Sequence, residues 1–165
     1  MPTKLSPLIA ALSAPNRDKR AEAAEQLAQV GPDAQPAAVA LTLACGDEAE
    51  EVRQWATSAL EQLGPPSSSD VAPLVELIEA RSPDVGYWAV TLLGRLKGDA
   101  APAVDALART VGGQQGIAVR QRAAWALGEI GPAAAAAIPV LQKVAGDPDP
   151  RLARLAAETL KKITE

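Results

Sequence analysis

The stretch "VRQRAAWALGEIGP", residues 119–132, decides the fold of this chain. Counted from its leucine, the residues at offsets −8, −4, 0 and +3 share one face of an α-helix. They are Val119, Ala123, Leu127 and Ile130. Gly131-Pro132 then ends the helix, because glycine permits a left-handed cap and proline prevents continuation. The stretch predicts an amphipathic helix with Trp125 turned away from the leucine face.

The same pattern recurs along the whole chain. Leucines that occupy the Leu127 position lie 33, 33, 34 and 33 residues apart. They are Leu27, Leu60, Leu93, Leu127 and Leu160. Alanine stands four residues before each of them, and an apolar residue stands three after, beginning with Val30. Five units agreeing at these offsets indicate a repeat protein rather than a single compact core.

Each unit also contains an earlier apolar segment, such as "PAAVALTLAC" at residues 36–45, that fits a helix of about three turns. A unit is therefore two antiparallel helices, the A helix followed by the B helix. The five units are predicted at residues 1–31, 32–64, 65–98, 99–131 and 132–165, within a single domain. Because one helix pair cannot bury its apolar face alone, the pairs must stack into an all-α solenoid.

Helix ends carry matching signals. Gly31-Pro32 and Gly64-Pro65 repeat the Gly131-Pro132 stop, and Gly98 stands near the same place in its unit. Asp149 is placed to cap the last B helix, with Pro150 at its first position. The segment "GGQQG" lengthens one A–B connection and predicts an exposed loop.

The opening stretch closely resembles the B helix of short bacterial HEAT-like repeats (the PBS-lyase type), which read roughly V-R-x-x-A-A-x-A-L-G-x-I-G. The resemblance covers essentially the whole chain and implies a right-handed α-α superhelix whose B helices line its concave surface. It also implies an Arg–Asp ladder along the A–B turns. Arg20, Arg53 and Arg120 match its arginine position, whereas Gly86 and Ala153 interrupt it.

Composition argues against catalysis. The chain has no histidine, which removes the commonest general base and the commonest zinc ligand. The hydroxyls of Ser67–Ser69 and the thiol of Cys45 therefore lack the histidine that would activate them, and Cys45 is predicted to be buried. The carboxylates from Asp47 to Glu51 match no dedicated calcium loop and read as an acidic helix start. The sequence predicts no enzyme, cofactor or metal.

The charge and hydropathy of the chain argue against nucleic acid and membranes as binding partners. Residues 1–98 carry a net charge of −5 and residues 99–165 a net charge of +1, so neither part has the basic excess of a nucleic-acid-binding protein. The apolar run near the N-terminus is short and contains Pro7, and no run reaches about 18 apolar residues. We expect a cytoplasmic protein with neither nucleic acid nor membrane as a partner.

All four aromatic residues fall on B helices and point away from the leucine face. Trp125 is at offset −2, Trp55 and Trp88 are at −5, and Tyr87 is at −6. The polar residues Gln54, Gln121 and Arg122 share this band. If B helices line the groove, these seven residues form a partner-binding surface, since Trp, Tyr and Arg are typical of interface hot spots. The alternative is that the indoles pack between adjacent units.

Three functions remain open. The first is a non-enzymatic scaffold that binds a partner peptide or helix along the concave surface. The second is bilin handling, because some HEAT-like proteins are lyases or chaperones that attach bilins. The third is DNA binding, which the net negative charge of the chain disfavours. The charged last helix predicts a C-terminal end to the solenoid, while the apolar first helix could pack on a preceding unit or self-associate.

Overall fold

The computed structural model describes residues 4–165, which form ten α-helices and no β-strand. Residues 1–3 of the first predicted unit lie outside the described part of the chain. Two compact units make up the chain, Met1–Asp70 and Val71–Glu165. We call them the two-repeat unit and the three-repeat unit, after the number of helix pairs that each contains.

The two-repeat unit consists of two A–B helix pairs. Its helices are α1 (Leu5–Ala11), α2 (Arg17–Val30), α3 (Ala38–Ala44) and α4 (Glu50–Gln62). Within each pair the two helices pack against each other, and the B helices α2 and α4 also pack side by side. The core between them is formed by leucines and alanines at the predicted offsets, with Leu27 and Leu60 fully buried.

The three-repeat unit contains the other three pairs. Its helices are α5 (Val71–Leu77), α6 (Pro83–Arg95), α7 (Val104–Gly112), α8 (Ile117–Ile130), α9 (Ile138–Val144) and α10 (Pro150–Thr164). The B helix α8 packs against the B helices α6 and α10 and against its own A helix α7. Leu93 and Leu127 are fully buried, which confirms the repeat register predicted from the sequence.

The A helices are shorter than predicted. α3 and α9 have seven residues each, about two turns rather than three. The residues before them form 3₁₀ helices at Gly31–Ala37 and Gly131–Ala137, and a third precedes α7 at Lys97–Ala103. Pro36 and Pro102 lie inside two of these segments and lack the N–H that the interior of an α-helix needs, whereas Gly131–Ala137 has proline only at its start.

The glycine stops take the predicted positive φ in two units but not in the other two. Gly64 does not, since α4 already ends at Gln62. Gly31 and Gly131 adopt φ values of +69° and +75°, a backbone conformation that glycine reaches at little cost. After α6, however, Lys97 rather than Gly98 takes the positive φ, at 52°. The core stripe also has exceptions at its ends. Val30, predicted to be buried, is 37% exposed, and Leu160 of the last repeat is half-buried.

The Arg–Asp ladder is present at two turns. Arg20 donates from Nε to Asp47 Oδ2 at 2.7 Å and from Nη2 to Oδ1 at 3.0 Å. Its Nη1 donates to the carbonyls of Ala14 and Pro15, so one guanidinium joins the turn of its own pair to the turn of the next. Arg120 reaches the aspartate 27 residues further on with one hydrogen bond, from Nη2 to Asp147 Oδ2 at 2.9 Å, while its Nε donates to the Val111 carbonyl. Arg53, at the same repeat position, donates instead to the backbone carbonyls of Asp47 and Glu48. These arginines are structural.

Turn geometry also sets the charge of the two aspartates. Burial raises the pKa of Asp47. The hydrogen bonds from Arg20 and from the Ala49 N–H, together with the positive charges nearby, lower it by more, so the net pKa is below its ordinary value. The Asp149 N–H and then Arg120 lower the pKa of Asp147 in the same way. Both carboxylates are therefore bound as anions.

By length and composition alone, the stretch Ile117–Val144 could cross a membrane. It contains α8, the 3₁₀ segment Gly131–Ala137 and α9, so it is not one straight helix. Since α8 packs between α6 and α10, buried apolar residues of this stretch such as Leu127 and Leu141 belong to the core of the three-repeat unit.

Candidate functional site

Arg122 of α8 lies at the centre of an aromatic cluster in the three-repeat unit. Its guanidinium carbon lies 3.9 Å from the ring centroid of Trp125 and 5.3 Å from that of Tyr87. Its Nε donates to Thr91 Oγ1 at 2.9 Å, and that hydroxyl donates to the Tyr87 carbonyl at 2.8 Å. The two ring contacts and the hydrogen bond together restrict the movement of the guanidinium.

A cavity of about 330 Å³ opens beside this cluster. It is lined by Tyr87, Ala118, Gln121, Arg122, Trp125, Arg151 and Leu155. Four of the seven predicted binding residues therefore meet at one place, since Tyr87 comes from α6 and the other three from α8. Tyr87, Gln121, Arg122 and Trp125 are all half-buried, so each has surface in contact with solvent.

The polar wall of the cavity is ordered by α10. Gln121 Nε2 donates to Asp149 Oδ1 at 3.0 Å, and the same carboxylate oxygen accepts the Leu152 N–H at 2.7 Å. Asp149 thereby caps α10 as the sequence predicts. Its charge faces the helix end and Gln121, which leaves Arg122 and Arg151 as the charged groups that line the cavity.

Trp88 is in a different environment. It is only 9% exposed, its ring meets Tyr87 edge-on with centroids 5.9 Å apart, and the Arg95 guanidinium lies 5.7 Å from its centroid. Trp88 supports the position of Tyr87 and has little area to offer a partner. The packing alternative describes this indole better than the groove alternative does.

Trp55 and Gln54 belong to the two-repeat unit, on α4. Trp55 is half-buried, whereas Gln54 is exposed and donates to Glu50 Oε1 at 3.0 Å. A cavity of about 380 Å³ adjoins Gln54, lined also by Arg53, Thr57, Ser58, Glu50 and Glu61. Trp55 does not line it, and Arg53 is committed to the carbonyls of Asp47 and Glu48.

Cys45 is not among the residues that line the cavity beside Trp125. Cys45 is 1% exposed, as predicted, with its Sγ 3.7 Å from Thr57 Oγ1. Within residues 4–165, no three His, Cys, Asp or Glu side chains come together in a way that could hold a metal ion. The "GGQQG" segment forms the predicted loop between α7 and α8.

Sequence reasoning missed Gly94, which makes room for Trp125. A methyl group at Gly94 would lie 2.9 Å from Cη2 and 3.0 Å from Cε3 of Trp125, and closer still to Cζ3. The indole of α8 therefore rests directly on the α6 backbone. The sequence contains one indication of this contact, because Gly94 directly follows the repeat leucine Leu93. The role of Gly94 is evident only from its contact with Trp125 in the structure.

Gly94→Ala is expected to destabilise the three-repeat unit by about 1–2 kcal/mol and to shift the fluorescence of Trp125. Overpacking costs about 1–3 kcal/mol, and the helix preference of alanine over glycine returns up to about 1 kcal/mol. Urea denaturation followed by tryptophan emission measures both effects. Gly98→Ala is the matched control, since nothing lies within 4 Å of its added methyl group. Equal unfolding free energies and equal tryptophan emission for the two variants would contradict the close contact between Gly94 and Trp125.

The family model that describes HEAT repeats matches residues 5–72 and 114–165. These segments make up more than half of the chain, so the chain belongs to the HEAT repeat family. The resemblance found in the sequence is confirmed. The match leaves out residues 73–113, which contain the third B helix and its Gly86, the residue that departs from the arginine pattern.

Solved structures show the same all-α, armadillo/HEAT type of repeat fold. An engineered protein is 20% identical with a TM-score of 0.65, covering 96% of this chain and 78% of its own. A designed armadillo repeat protein in complex with the peptide (KR)4 is 18% identical, covering 98% and 82%, with a TM-score of 0.65. The complex of CpcE and CpcF of phycocyanin lyase from Nostoc sp. PCC7120 is 26% identical, covering 98% and 65%, with a TM-score of 0.65. No curated protein matches the sequence.

Proposed function

We propose that this chain is a non-enzymatic protein-interaction module that binds a partner peptide or helix on the B-helix surface around Trp125. The HEAT repeat scaffold supports a role in protein interaction, and the peptide-bound armadillo design shares the fold. The observation that carries the proposal is Arg122, held between two aromatic rings on the wall of an open cavity. Half-buried aromatic and arginine side chains in a pocket are typical anchors of protein interfaces.

Of the seven residues predicted from the sequence, the proposal retains Tyr87, Gln121, Arg122 and Trp125 as direct contacts. Trp88 acts beneath them by supporting Tyr87. Trp55 and Gln54 lie on the two-repeat unit and stay a separate prediction, since only Gln54 borders the cavity of mixed charge there.

Selection of peptides from a random display library on the immobilised chain tests this proposal. Peptides selected by the wild-type protein should bind the Trp125→Ala variant at least about tenfold more weakly, because loss of a hot-spot side chain costs about 2 kcal/mol or more. Ile117→Ala is the control, since Ile117 is on the same helix, is 43% exposed and does not line the cavity. Circular dichroism confirms that both variants are folded. Peptides that bind both variants equally would refute the proposed surface.

Bilin handling is the second candidate, favoured by the 26% identity to the phycocyanin lyase complex. The aromatic cavity would have to hold a flat tetrapyrrole against Trp125 and Tyr87. An absorbance titration with a free bilin tests this: a red shift that Trp125→Ala removes would support it, and an unchanged spectrum would dismiss it.

A further inference from the structure

We infer that the cavity beside Trp125 selects an acidic segment of its partner, with a carboxylate bound between Arg122 and Arg151 and a neighbouring apolar side chain against Trp125 and Leu155. The inference rests on the proposed function and adds the chemistry of the partner. Its support comes from the donors, the charges and the apolar wall of this one cavity.

Arg122 presents a prepared set of donors. Its Nε is used by Thr91 Oγ1, but within residues 4–165 its Nη1 and Nη2 donate to no acceptor. Both groups belong to a guanidinium whose movement is already restricted by Trp125 and Tyr87. Two parallel N–H donors on such a guanidinium match the two oxygens of a carboxylate, and little side-chain freedom is lost on binding.

Arg151 adds a second positive charge at the same cavity. It is exposed, and within the described residues it forms no ion pair, whereas the next arginine on α10, Arg154, lies 3.8 Å from Glu158. No aspartate or glutamate lines the cavity. Asp149 is the acid nearest in sequence to Arg151, and its Oδ1 is already used by Leu152 and Gln121. The two arginines are therefore the charged side chains among the residues that line the cavity, which favours an anionic partner group.

The rest of the lining distinguishes a peptide from a polyanion. Trp125, Leu155 and Ala118 form an apolar wall next to the two arginines. An acidic residue beside an apolar one satisfies both parts of the cavity. Nucleic acid would need a longer run of phosphate contacts than two arginines supply, in a chain whose net charge is −4. The cavity on α4 differs, because Glu50 and Glu61 share its lining with Arg53.

The experiment compares three synthetic peptides of eight residues, in which leucine alternates with glutamate, glutamine or lysine. Fluorescence anisotropy of the labelled peptides on the full chain gives their affinities. We expect the glutamate peptide to bind at least about tenfold more tightly than the glutamine peptide, the lysine peptide to bind most weakly, and added salt to weaken the glutamate peptide.

Variants locate the effect. Arg122→Gln should weaken the glutamate peptide by about tenfold, and Arg122→Lys should recover only part of that loss, because lysine keeps the charge but not the planar fork. Arg151→Gln should weaken it by about threefold, as expected of a more exposed charge. Arg154→Gln is the matched control and should leave the affinity unchanged, since Arg154 does not line the cavity.

Each other outcome has a definite meaning. If the glutamine or lysine peptide binds as tightly as the glutamate peptide, and Trp125→Ala still abolishes binding, the acidic preference is overturned while the proposed surface stands. A phosphoserine peptide and a duplex oligonucleotide are measured in the same assay, and binding of either one alone overturns the carboxylate inference. If no peptide binds and display-selected peptides ignore Trp125→Ala, both proposals fail.

Discussion

Replacing Leu127 with alanine is expected to destabilise the three-repeat unit by about 3–4 kcal/mol. The Leu127 side chain is completely buried on α8, which packs against α6, α7 and α10. Truncation removes apolar contacts on several sides and leaves a cavity that closely packed helices cannot fill. Hydrogen exchange of the α8 amides is the suitable measurement, because two compact units need not unfold together. Protection should fall by roughly two to three powers of ten.

Leu160→Ala is the control for this prediction. Leu160 occupies the same repeat position in the last B helix but is only half-buried. Its loss should cost about 1 kcal/mol, in proportion to the smaller buried area. If the two substitutions lowered the free energy of unfolding equally, the burial of the repeat leucine between neighbouring helices would not explain its stabilising effect.

The repeat architecture could be predicted from the sequence because it depends on spacing within helices. The repeat of about 33 residues places a leucine at the same position of successive B helices, on the face that packs against the neighbouring helices. These leucines are buried as a result: Leu27, Leu60, Leu93 and Leu127. Gly31 and Gly131 adopt a positive φ directly after the last residue of their B helices, whereas Gly64, also followed by proline, does not, because α4 ends two residues before it. Lys97 was not predicted to have a positive φ. It occupies the same repeat position as Gly31 and Gly131, but the glycine of its unit, Gly98, stands one residue later.

The site could be predicted only in part. Helix angles correctly placed Arg122, Gln121 and Trp125 on a face with access to solvent. They did not separate Trp88 from Trp55, which have the same offset, although Trp88 is 9% exposed and Trp55 is half-buried. Burial depends on what a neighbouring helix presents, and a helix angle contains no information about the neighbour.

The arrangement around Arg122 likewise requires tertiary structure. Thr91 and Arg122 are 31 residues apart in sequence yet form a hydrogen bond, and Gly94 accommodates an indole from the next repeat. In the sequence, Arg151 is one of several charged residues of the last helix. In the structure it shares a cavity with Arg122, and the two together give that cavity its charge.

Asp47→Ala is expected to destabilise the two-repeat unit by about 3 kcal/mol, in the range for breaking a largely buried ion pair. The substitution removes two hydrogen bonds from Arg20, whose side chain is only 10% exposed, and the cap on the Ala49 N–H. Arg20 would keep its bonds to two backbone carbonyls and the longer contact with exposed Glu48, at 3.4 Å, but lose its buried counter-charge. Urea denaturation at neutral pH measures the loss.

Asp47→Asn separates charge from hydrogen bonding and gives the prediction a pH dependence. The pKa of Asp47 is lower in the folded chain than its ordinary value of about 3.9, so the anion stabilises the fold above that value. This stability is lost as the pH falls through the folded pKa. The difference between wild type and Asp47→Asn should therefore be constant from about pH 5 to 8 and shrink below about pH 4. A difference that persists undiminished in acid would mean that the Asp47 charge does not stabilise this turn.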